Sequence, residues 1–171
     1  MPLFRRHDDE PPPRRFQMRE DLLSIGDDYW IENEAGMKVF HVDGKVARIR
    51  DTWELEDHSG RALAKIKERK LTVRDKMTIE FADGTEATVK KALVGLRDRF
   101  HIELDGGEDL KAKGNIIDHE YEIERDGQEV AEISKKWFRI RETYGVEVRH
   151  DTDPVLILAI TVAIDGMTRG H

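Results

Sequence analysis

Several features are missing from this chain of 171 residues, and each absence excludes something. Cysteine is absent, so disulfides, thiol catalysis and cysteine-ligated metals are excluded, and we expect a reducing cytoplasm. The first twenty residues contain no apolar run, so no secretory signal is predicted. One stretch, Val155 to Ile164, has ten consecutive uncharged residues. A membrane-spanning helix needs about 20 apolar residues, so no transmembrane segment is predicted.

The charge is abundant but mixed in sign. Charged residues make up 38% of the chain and the net charge is −7, which argues against strong nucleic-acid binding by the whole surface. Mixed signs are typical of a solvated folded surface. The length suits a single domain with its own hydrophobic core. The prolines at positions 11–13 favour an extended segment. We therefore predict a flexible tail over residues 1–14 and one domain over residues 15–171.

The chain repeats one local pattern. Segments of similar plan begin at Tyr29, Trp53, Met77, Phe100, Tyr121 and Tyr144, spaced 24, 24, 23, 21 and 23 residues apart. Each of the first five has an alternating run, a turn containing glycine and a second run that ends in Lys or Arg. This pattern is typical of a β-hairpin, and the Asp-Gly pairs at 83–84 and 126–127 are strong hairpin-turn signals.

The strand count predicts a closed barrel. A single strand around Phe16 to Ser24, five hairpins and a final strand from Tyr144 to Arg149 total twelve strands. A long antiparallel meander tends to close, because closure removes its exposed edges. A barrel of twelve strands is too wide for its own side chains to fill. Another segment must therefore occupy the interior.

The stretch from Asp153 to Gly166 is the candidate for that segment. Asp153 suits a helix N-cap, Pro154 suits the first helical position, and Gly166 suits a C-terminal stop. The residues between are apolar on every side, which is typical of a fully buried helix. A buried strand is the alternative, because the stretch contains five β-branched Val and Ile residues: Val155, Ile157, Ile160, Val162 and Ile164. Capping and length favour a core helix over about residues 153–165.

Three stretches together resemble a known family. They are "SIGDDYWIENEAGMKVFHVDGK", "GNIIDHEYEIERDGQEVAEISKKWF" and "TYGVEVRHDTDPVLILAITVAID". They are similar to the LURP-one-related family, which is grouped with tubby C-terminal and phospholipid-scramblase-like proteins, and the resemblance runs from about Phe16 to Ile164. It implies a twelve-stranded β-barrel around a central hydrophobic C-terminal helix.

The resemblance implies much less about activity. The bacterial and archaeal members have no settled biochemical function, tubby domains bind phosphoinositide headgroups, and scramblases are membrane-tethered and calcium-linked. This sequence shows no membrane tail, cysteine cluster for acylation or calcium loop. Lipid scrambling and named headgroup ligands are therefore not transferred to it.

Basic residues cluster on the second strand of each predicted hairpin, whereas the first strands are acidic. The candidate ligand-binding residues are Lys65, Lys67, Arg69, Lys70, Lys135 and Lys136. Such a patch could bind phosphate headgroups or acidic partners. Cross-strand pairing of Glu with Lys on a solvated barrel is the alternative, and we favour it because neighbouring strands supply both signs.

Three further motifs are assigned structural roles. In a strand, His119 would point away from Asp118 and Glu120, so the three side chains could not converge on one metal ion. Asp27 and Asp28 follow Gly26 and are typical of a turn. Trp137 and Phe138, set among basic residues, could stack on single-stranded nucleic acid or sit in the barrel wall with Lys135 facing water.

These observations predict a non-enzymatic function. The sequence contains no glycine-rich phosphate loop, no Gly-x-Ser-x-Gly elbow and no metal-ligand spacing of histidines, so no catalytic residue, metal or cofactor is predicted. We expect a monomeric, cytoplasmic binding or scaffold module with an unknown protein partner. The alternative is a peripheral binder of anionic phospholipid headgroups. Nucleic acid is not an expected partner.

Overall fold

The computed structural model of the protein describes residues 11–19, 28–44, 52–68, 76–92, 99–138 and 142–169. They form twelve β-strands followed by one α-helix. The strands are β1 Arg14–Arg19, β2 Tyr29–Asn33, β3 Lys38–Asp43, β4 Thr52–Asp57, β5 Ala62–Glu68, β6 Lys76–Phe81, β7 Glu86–Ala92, β8 Arg99–Leu104, β9 Leu110–Asn115, β10 Glu120–Arg125, β11 Gln128–Ser134 and β12 Thr143–Val148, and the helix is α1 Pro154–Arg169.

The strands close into one antiparallel barrel. Each strand pairs with its neighbours in sequence, and β1 closes the ring by pairing with both β12 and β2. The pairing with β12 runs along the whole of β1, whereas β2 meets it only at Phe16–Asn33 and Gln17–Glu32. The five predicted hairpins are β2–β3, β4–β5, β6–β7, β8–β9 and β10–β11. The prediction of a closed twelve-stranded barrel is confirmed.

Local chemistry explains why the hairpins form. Asp126 and Gly127 have φ angles of 51° and 76°, and a two-residue turn with positive φ at both positions matches the twist of the flanking strands. The longer β6–β7 turn uses a side chain instead, since Asp83 accepts hydrogen bonds from the amide and hydroxyl of Thr85 at 2.9 and 2.7 Å. These bonds, above all that from the hydroxyl, lower the pKa of Asp83.

The first strand begins earlier than predicted. Arg14, the last residue of the predicted tail, already belongs to β1, and its guanidinium donates a hydrogen bond of 2.7 Å to the carbonyl of Thr152. The predicted continuation over residues 20–24 lies outside the described residues, as do residues 1–10 of the tail.

The turns after β2, β4, β6, β8 and β10 all lie at one end of the barrel, here called the hairpin end. The opposite end, here called the linker end, carries the turn between β9 and β10. Because β12 runs back towards the hairpin end, α1 starts there and extends through the interior towards the linker end.

The helix fills the barrel. Every residue from Ile157 to Ile164 is at most 1% exposed, and α1 packs against β5, β6, β7 and β12. Asp153 caps it, because its carboxylate accepts the amide of Val155 at 2.9 Å. The predicted stop at Gly166 is wrong. A glycine inside a helix costs only about 1 kcal/mol, and one further residue, Met167, is buried by continuing the helix. No helix in the described part of the chain is long and apolar enough to span a membrane.

Candidate functional site

The six predicted ligand-binding residues do not form one described patch. Lys65 and Lys67 lie on β5, Lys135 and Lys136 follow β11, and Arg69 and Lys70 lie outside the described residues. In the ring of twelve strands, β5 is six strands from β11 in either direction. The two groups of lysines therefore lie on opposite walls of the barrel. The expectation that Lys135 and Lys136 belong to a second strand is wrong, since β11 ends at Ser134.

Glutamates adjoin these lysines. Lys65 is exposed and lies in register between Glu54 of β4 and Glu80 of β6. Lys67 pairs with Glu80, with 3.0 Å between Nζ and Oε1. Lys136 Nζ lies 2.8 Å from Glu132, and this hydrogen bond raises the pKa of Lys136. Lys67 thus forms the cross-strand pair of the alternative prediction, whereas Lys136 pairs with a glutamate four residues before it.

The wall formed by β10, β11 and β12 is acidic instead. We call its six carboxylates the acidic wall: Glu120, Glu122, Glu124, Glu129, Glu132 and Glu147. Glu132 lies directly opposite Glu122 on one side and Glu147 on the other. Like charges placed directly opposite one another are destabilising in a sheet. Partial burial, followed by the charges of its glutamate neighbours, raises the pKa of Glu129.

Three cations neutralise part of the acidic wall. The described ion pairs are Lys113–Glu124 at 2.8 Å, Lys136–Glu132 at 2.8 Å and Arg15–Glu147 at 2.7 Å. Glu122 and Glu129 have no cationic partner among the described residues. Sequence reasoning missed this surface, because it depends on which residues of β10, β11 and β12 stand opposite one another.

An aromatic cluster borders the acidic wall. Trp137 and Phe138 fold over the outer face of β12 at Gly145, where a Cβ atom would lie 2.7 Å from Trp137 and 2.9 Å from Phe138. The Arg15 guanidinium and the Lys136 ammonium lie 5.1 and 5.0 Å from the Trp137 ring centre. We call these five residues the Trp137 platform. A glycine inside a strand often marks such a close approach, and Gly145 is the sequence signal that could have indicated it.

The side chains of residues 118–120 diverge. Asp118 accepts a hydrogen bond of 2.7 Å from Asn115, and Glu120 accepts the amide of Lys135 at 2.9 Å. His119 points into the barrel with a φ of 55°. Divergence agrees with the predicted structural role, although Asp118 and His119 lie in the β9–β10 turn rather than in a strand.

His119 belongs to a buried polar cluster at the linker end of α1. Its Nε2 lies 3.3 Å from Asp165 Oδ1, and the Tyr144 hydroxyl donates to the other carboxylate oxygen. The His119 and Tyr144 rings stack with their centres 4.1 Å apart. Tyr121 is buried in the same region, where burial and then the Asp165 charge raise the pKa of its hydroxyl, and that hydroxyl has no hydrogen-bond partner among the described residues. The sequence analysis treated Asp165 only as part of the helix end.

A second group of carboxylates lies on the outer faces of β3 and β4. Oxygen atoms of Asp43, Glu54 and Glu56 approach within 4.8 Å of one another, which is close enough to share a cation. His41 Nδ1 lies 3.0 Å from Glu56, and the His41 ring packs against Trp30 with centres 4.8 Å apart. The histidine therefore already pairs with one of these carboxylates.

The predicted turn at Asp27 and Asp28 is only half described. Asp27 lies outside the described residues. Asp28 accepts the amide of Gly44 at 3.3 Å and lies 3.9 Å from His41, so its carboxylate holds two segments of the chain together.

Three concavities lie on the outside or at the hairpin end. One of about 430 Å³ is lined by Arg99 and Lys113 together with Glu120, Glu122 and Glu132. Another of about 330 Å³ lies between Phe81, Leu104 and the first turn of α1. The third, of about 550 Å³, is lined by residues 12–16 and the β2–β3 turn. The second of these spaces is lined in part by Val155 and Leu156 of α1.

A closed twelve-stranded antiparallel barrel with one C-terminal helix through its centre defines the structural class of this protein. The chain belongs to the LURP-one-related family, whose sequence pattern matches residues 14–165. The resemblance noted from the three sequence stretches is thereby confirmed.

The chain is also similar to two individual proteins. The chain is 23% identical over 149 residues to the uncharacterized protein YxjI of Bacillus subtilis (strain 168), covering 86% of this chain and 90% of YxjI. It is also similar to a crystal structure of an Arabidopsis thaliana protein, with a TM-score of 0.65, 16% identity and 94% of each chain covered. That structural likeness shows the fold alone.

Proposed function

We propose that the protein is a non-enzymatic binding module that engages another protein through the outer wall formed by β10, β11, β12 and β1. The observation that carries this proposal is the filled interior. Residues from Ile157 to Ile164 of α1 are at most 1% exposed, so the helix occupies the centre of the barrel. A partner would therefore meet the outside of the barrel.

The Trp137 platform is the part of that wall best suited to anchor a partner. Trp and Arg are enriched among the residues that dominate binding energy at protein interfaces. Trp137 is half-buried, and its position is set by the missing side chain at Gly145 and by the cations on its ring. A ring held in place loses little conformational entropy on binding.

The acidic wall favours a partner with a basic surface. It carries six glutamates and contacts three cations, Lys113, Lys136 and Arg15. The remaining negative charge would steer a basic segment towards the platform and exclude acidic ones. The partner class supported by this arrangement is a protein with a Lys- or Arg-rich surface segment.

Burial supports the non-enzymatic part of the proposal. The histidine–carboxylate pair of the interior, His119 and Asp165, has side chains only 14% and 4% exposed. The His119 ring is also covered by Tyr144. Among the described residues, these two side chains therefore offer little surface to a substrate.

Comparative capture tests the proposal. The purified protein, Trp137→Ala and Glu122→Lys/Glu147→Lys would be immobilised and exposed to the same cell extract and to Lys-rich and Glu-rich peptides. Lys65→Ala, on the opposite wall, is the matched control. We expect the platform and acidic-wall variants to lose the proteins and the Lys-rich peptides that the control retains. Identical capture by all four proteins would refute the assignment of this wall.

A second candidate function is peripheral binding of anionic lipid headgroups. The exposed Lys65 favours it, because the basic run from Lys65 to Lys70 continues beyond the described end of β5. The grouping of the family with tubby-like and scramblase-like proteins supports it by analogy only. Flotation with phosphatidylserine or phosphoinositide vesicles in low salt tests it. Loss of flotation in Lys65→Ala/Lys67→Ala/Lys70→Ala is expected, and no flotation of the unmodified protein would refute it.

A further inference from the structure

One concavity on the outer wall brings together charges of both signs that are not paired with each other. It has a volume of about 430 Å³ and lies at the linker end of β8 to β11. Arg99 of β8 and Glu122 of β10 both line it. Among the described residues, neither side chain has an ion-pair or hydrogen-bond partner. The concavity thus offers a ligand one cation and one carboxylate that no described residue engages.

The strand register explains why these two groups stay unpaired. Lys113 of β9 stands between them, directly opposite Arg99 on one side and Glu122 on the other. Its ammonium lies 2.8 Å from Glu124, two residues further along β10. On its other side, Glu122 faces Glu132, which is another carboxylate. Because like charges directly opposite one another are destabilising in a sheet, Arg99 beside Lys113 and Glu122 beside Glu132 would each gain from an external counter-charge.

The backbone between β9 and β10 gives the concavity its floor. Gly114 has a φ of 135°, and a Cβ atom there would lie 2.8 Å from the carbonyl oxygen of Glu120, so this position accepts no side chain. Tyr121 and Ile133 also line the concavity although their side chains are only 3% and 1% exposed, so their backbone contributes to the floor. Charged groups that are carried by strands are held more precisely than groups on loops. The charges therefore stand at fixed places around this floor.

The strand spacing sets the distance between complementary charges on a ligand. Adjacent strands are about 4.8 Å apart, and one strand separates β8 from β10, so Arg99 and Glu122 start about 10 Å apart. An extended polyproline-II segment has three residues per turn and rises about 3.1 Å per residue, so side chains three positions apart share a face and lie about 9 Å apart. Beyond Glu122, the same row of residues continues through Glu132 to Glu147, beside the Trp137 platform.

We propose that the partner segment carries an acidic residue three positions from the nearest of its basic residues, with the acidic residue on Arg99 and the basic residue on Glu122. The remaining basic residues then lie towards β12 and the Trp137 platform. A uniformly basic segment would place a cation against Arg99 and Lys113, so the same concavity discriminates against it. This inference rests on the proposed function and specifies the charge pattern of the partner that the outer wall binds.

Peptides that differ at one residue test this charge pattern. Each contains a run of lysines, with Glu, Gln or Lys three positions from the run, and two series place this residue before or after the lysines to cover both chain directions. Isothermal titration calorimetry with the full chain measures their affinities. In one of the series, we expect the Glu peptide to bind about two- to fivefold more tightly than the Gln peptide, and the Lys peptide to bind more weakly than both.

Variants of Arg99 assign this preference to one side chain. Arg99→Gln should remove the difference between the Glu and Gln peptides, and Arg99→Glu should reverse the preference so that the Lys peptide binds best. Arg99 is exposed at the first position of β8, so we expect both variants to fold, which circular dichroism checks. Arg61→Gln, at an exposed arginine beside the β4–β5 turn, is the matched control and should keep the preference.

The outcomes separate this inference from the proposed function. Equal affinity for the Glu and Gln peptides in both series, with binding still weakened by Trp137→Ala, would overturn the inference alone. A preference for Glu that survives Arg99→Gln would also overturn it, because another residue would then bind the acidic group. If no peptide bound to the unmodified protein, both the inference and the proposed basic partner would be refuted.

Discussion

Two opposite walls of the barrel carry similar residues in contrasting arrangements. Across β4, β5 and β6, Lys65 lies between Glu54 and Glu80. Across β10, β11 and β12, Glu132 lies between Glu122 and Glu147. The first row alternates in sign, whereas the second places three like charges side by side. Across these three strands, the central cation of the first row faces a glutamate on each side, whereas the glutamates of the second row face one another.

The difference between the two walls arises because the second and fifth hairpins place their lysines at different positions relative to the end of the second strand. The second strand of the second hairpin, β5, contains Lys65 and Lys67 within the ladder. In the fifth hairpin, the strand β11 has the sequence QEVAEIS, and Lys135 and Lys136 follow its end. A shift of a few residues thus moves the cations from the wall to the linker end. The same repeat therefore places two lysines among the glutamates of one wall and leaves β10 to β12 with the six glutamates of the acidic wall.

Removing the central helix should unfold the barrel, including both walls. Deleting residues 153–171 exposes the inner side chains of β5, β6, β7 and β12, against which α1 packs. A twelve-stranded barrel cannot fill its own interior, so we expect no cooperative thermal transition. Circular dichroism melting measures this, with deletion of residues 170–171 as the control. A truncated chain that still melted cooperatively would show that the helix is dispensable.

Filling the space at Gly145 should disturb only the wall that carries the Trp137 platform. A Cβ atom there lies 2.7 Å from Trp137, so Gly145→Ala must displace the ring. We expect a loss of about 1–3 kcal/mol, the usual cost of overpacking, with altered tryptophan fluorescence. Thr88→Val, at an outward position on β7, is the control. Unchanged stability and fluorescence in Gly145→Ala would mean that the platform is loosely packed.

Exchanging the central charges should make the two walls resemble each other. Lys65→Glu places three glutamates side by side on β4 to β6, and Glu132→Lys restores alternation on β10 to β12. We expect destabilisation of up to about 1 kcal/mol by the first change. We expect a smaller stabilisation by the second, which gains two cross-strand neighbours of opposite charge but loses the exposed pair with Lys136. Both effects should shrink in high salt. Denaturant melts at two ionic strengths measure them, and equal signs would contradict the comparison.

The sequence predicts the barrel well because its information is local. Alternation, Asp-Gly turns and the cap at Asp153 each depend on a few adjacent residues, and the repeat multiplies the signal. The contacts of the candidate sites depend instead on register between distant segments. Nothing near Asp165 indicates His119, which is 46 positions earlier. Likewise, Glu122, Glu132 and Glu147 become one row only after three strands pair. The number of strands could therefore be predicted from the sequence, but the charge pattern of the walls could not.

The smallest expected effect concerns the pH response of the acidic wall. Partial burial and the neighbouring glutamates raise the pKa of Glu129 in the folded state. A raised pKa means that the folded protein prefers the protonated carboxyl, so this contribution to stability is present in acid and is lost as the pH rises through the folded pKa. Glu129→Gln should therefore stabilise the protein at neutral pH by about 0.5 kcal/mol or less, since the group is largely solvated. The gain should vanish below the unfolded pKa.

Glu103→Gln on β8, which pairs with Lys90 at 2.9 Å, is the matched control and should give no gain at neutral pH. A stabilisation by Glu129→Gln that persists in acid would show that charge repulsion within the acidic wall is not its cause.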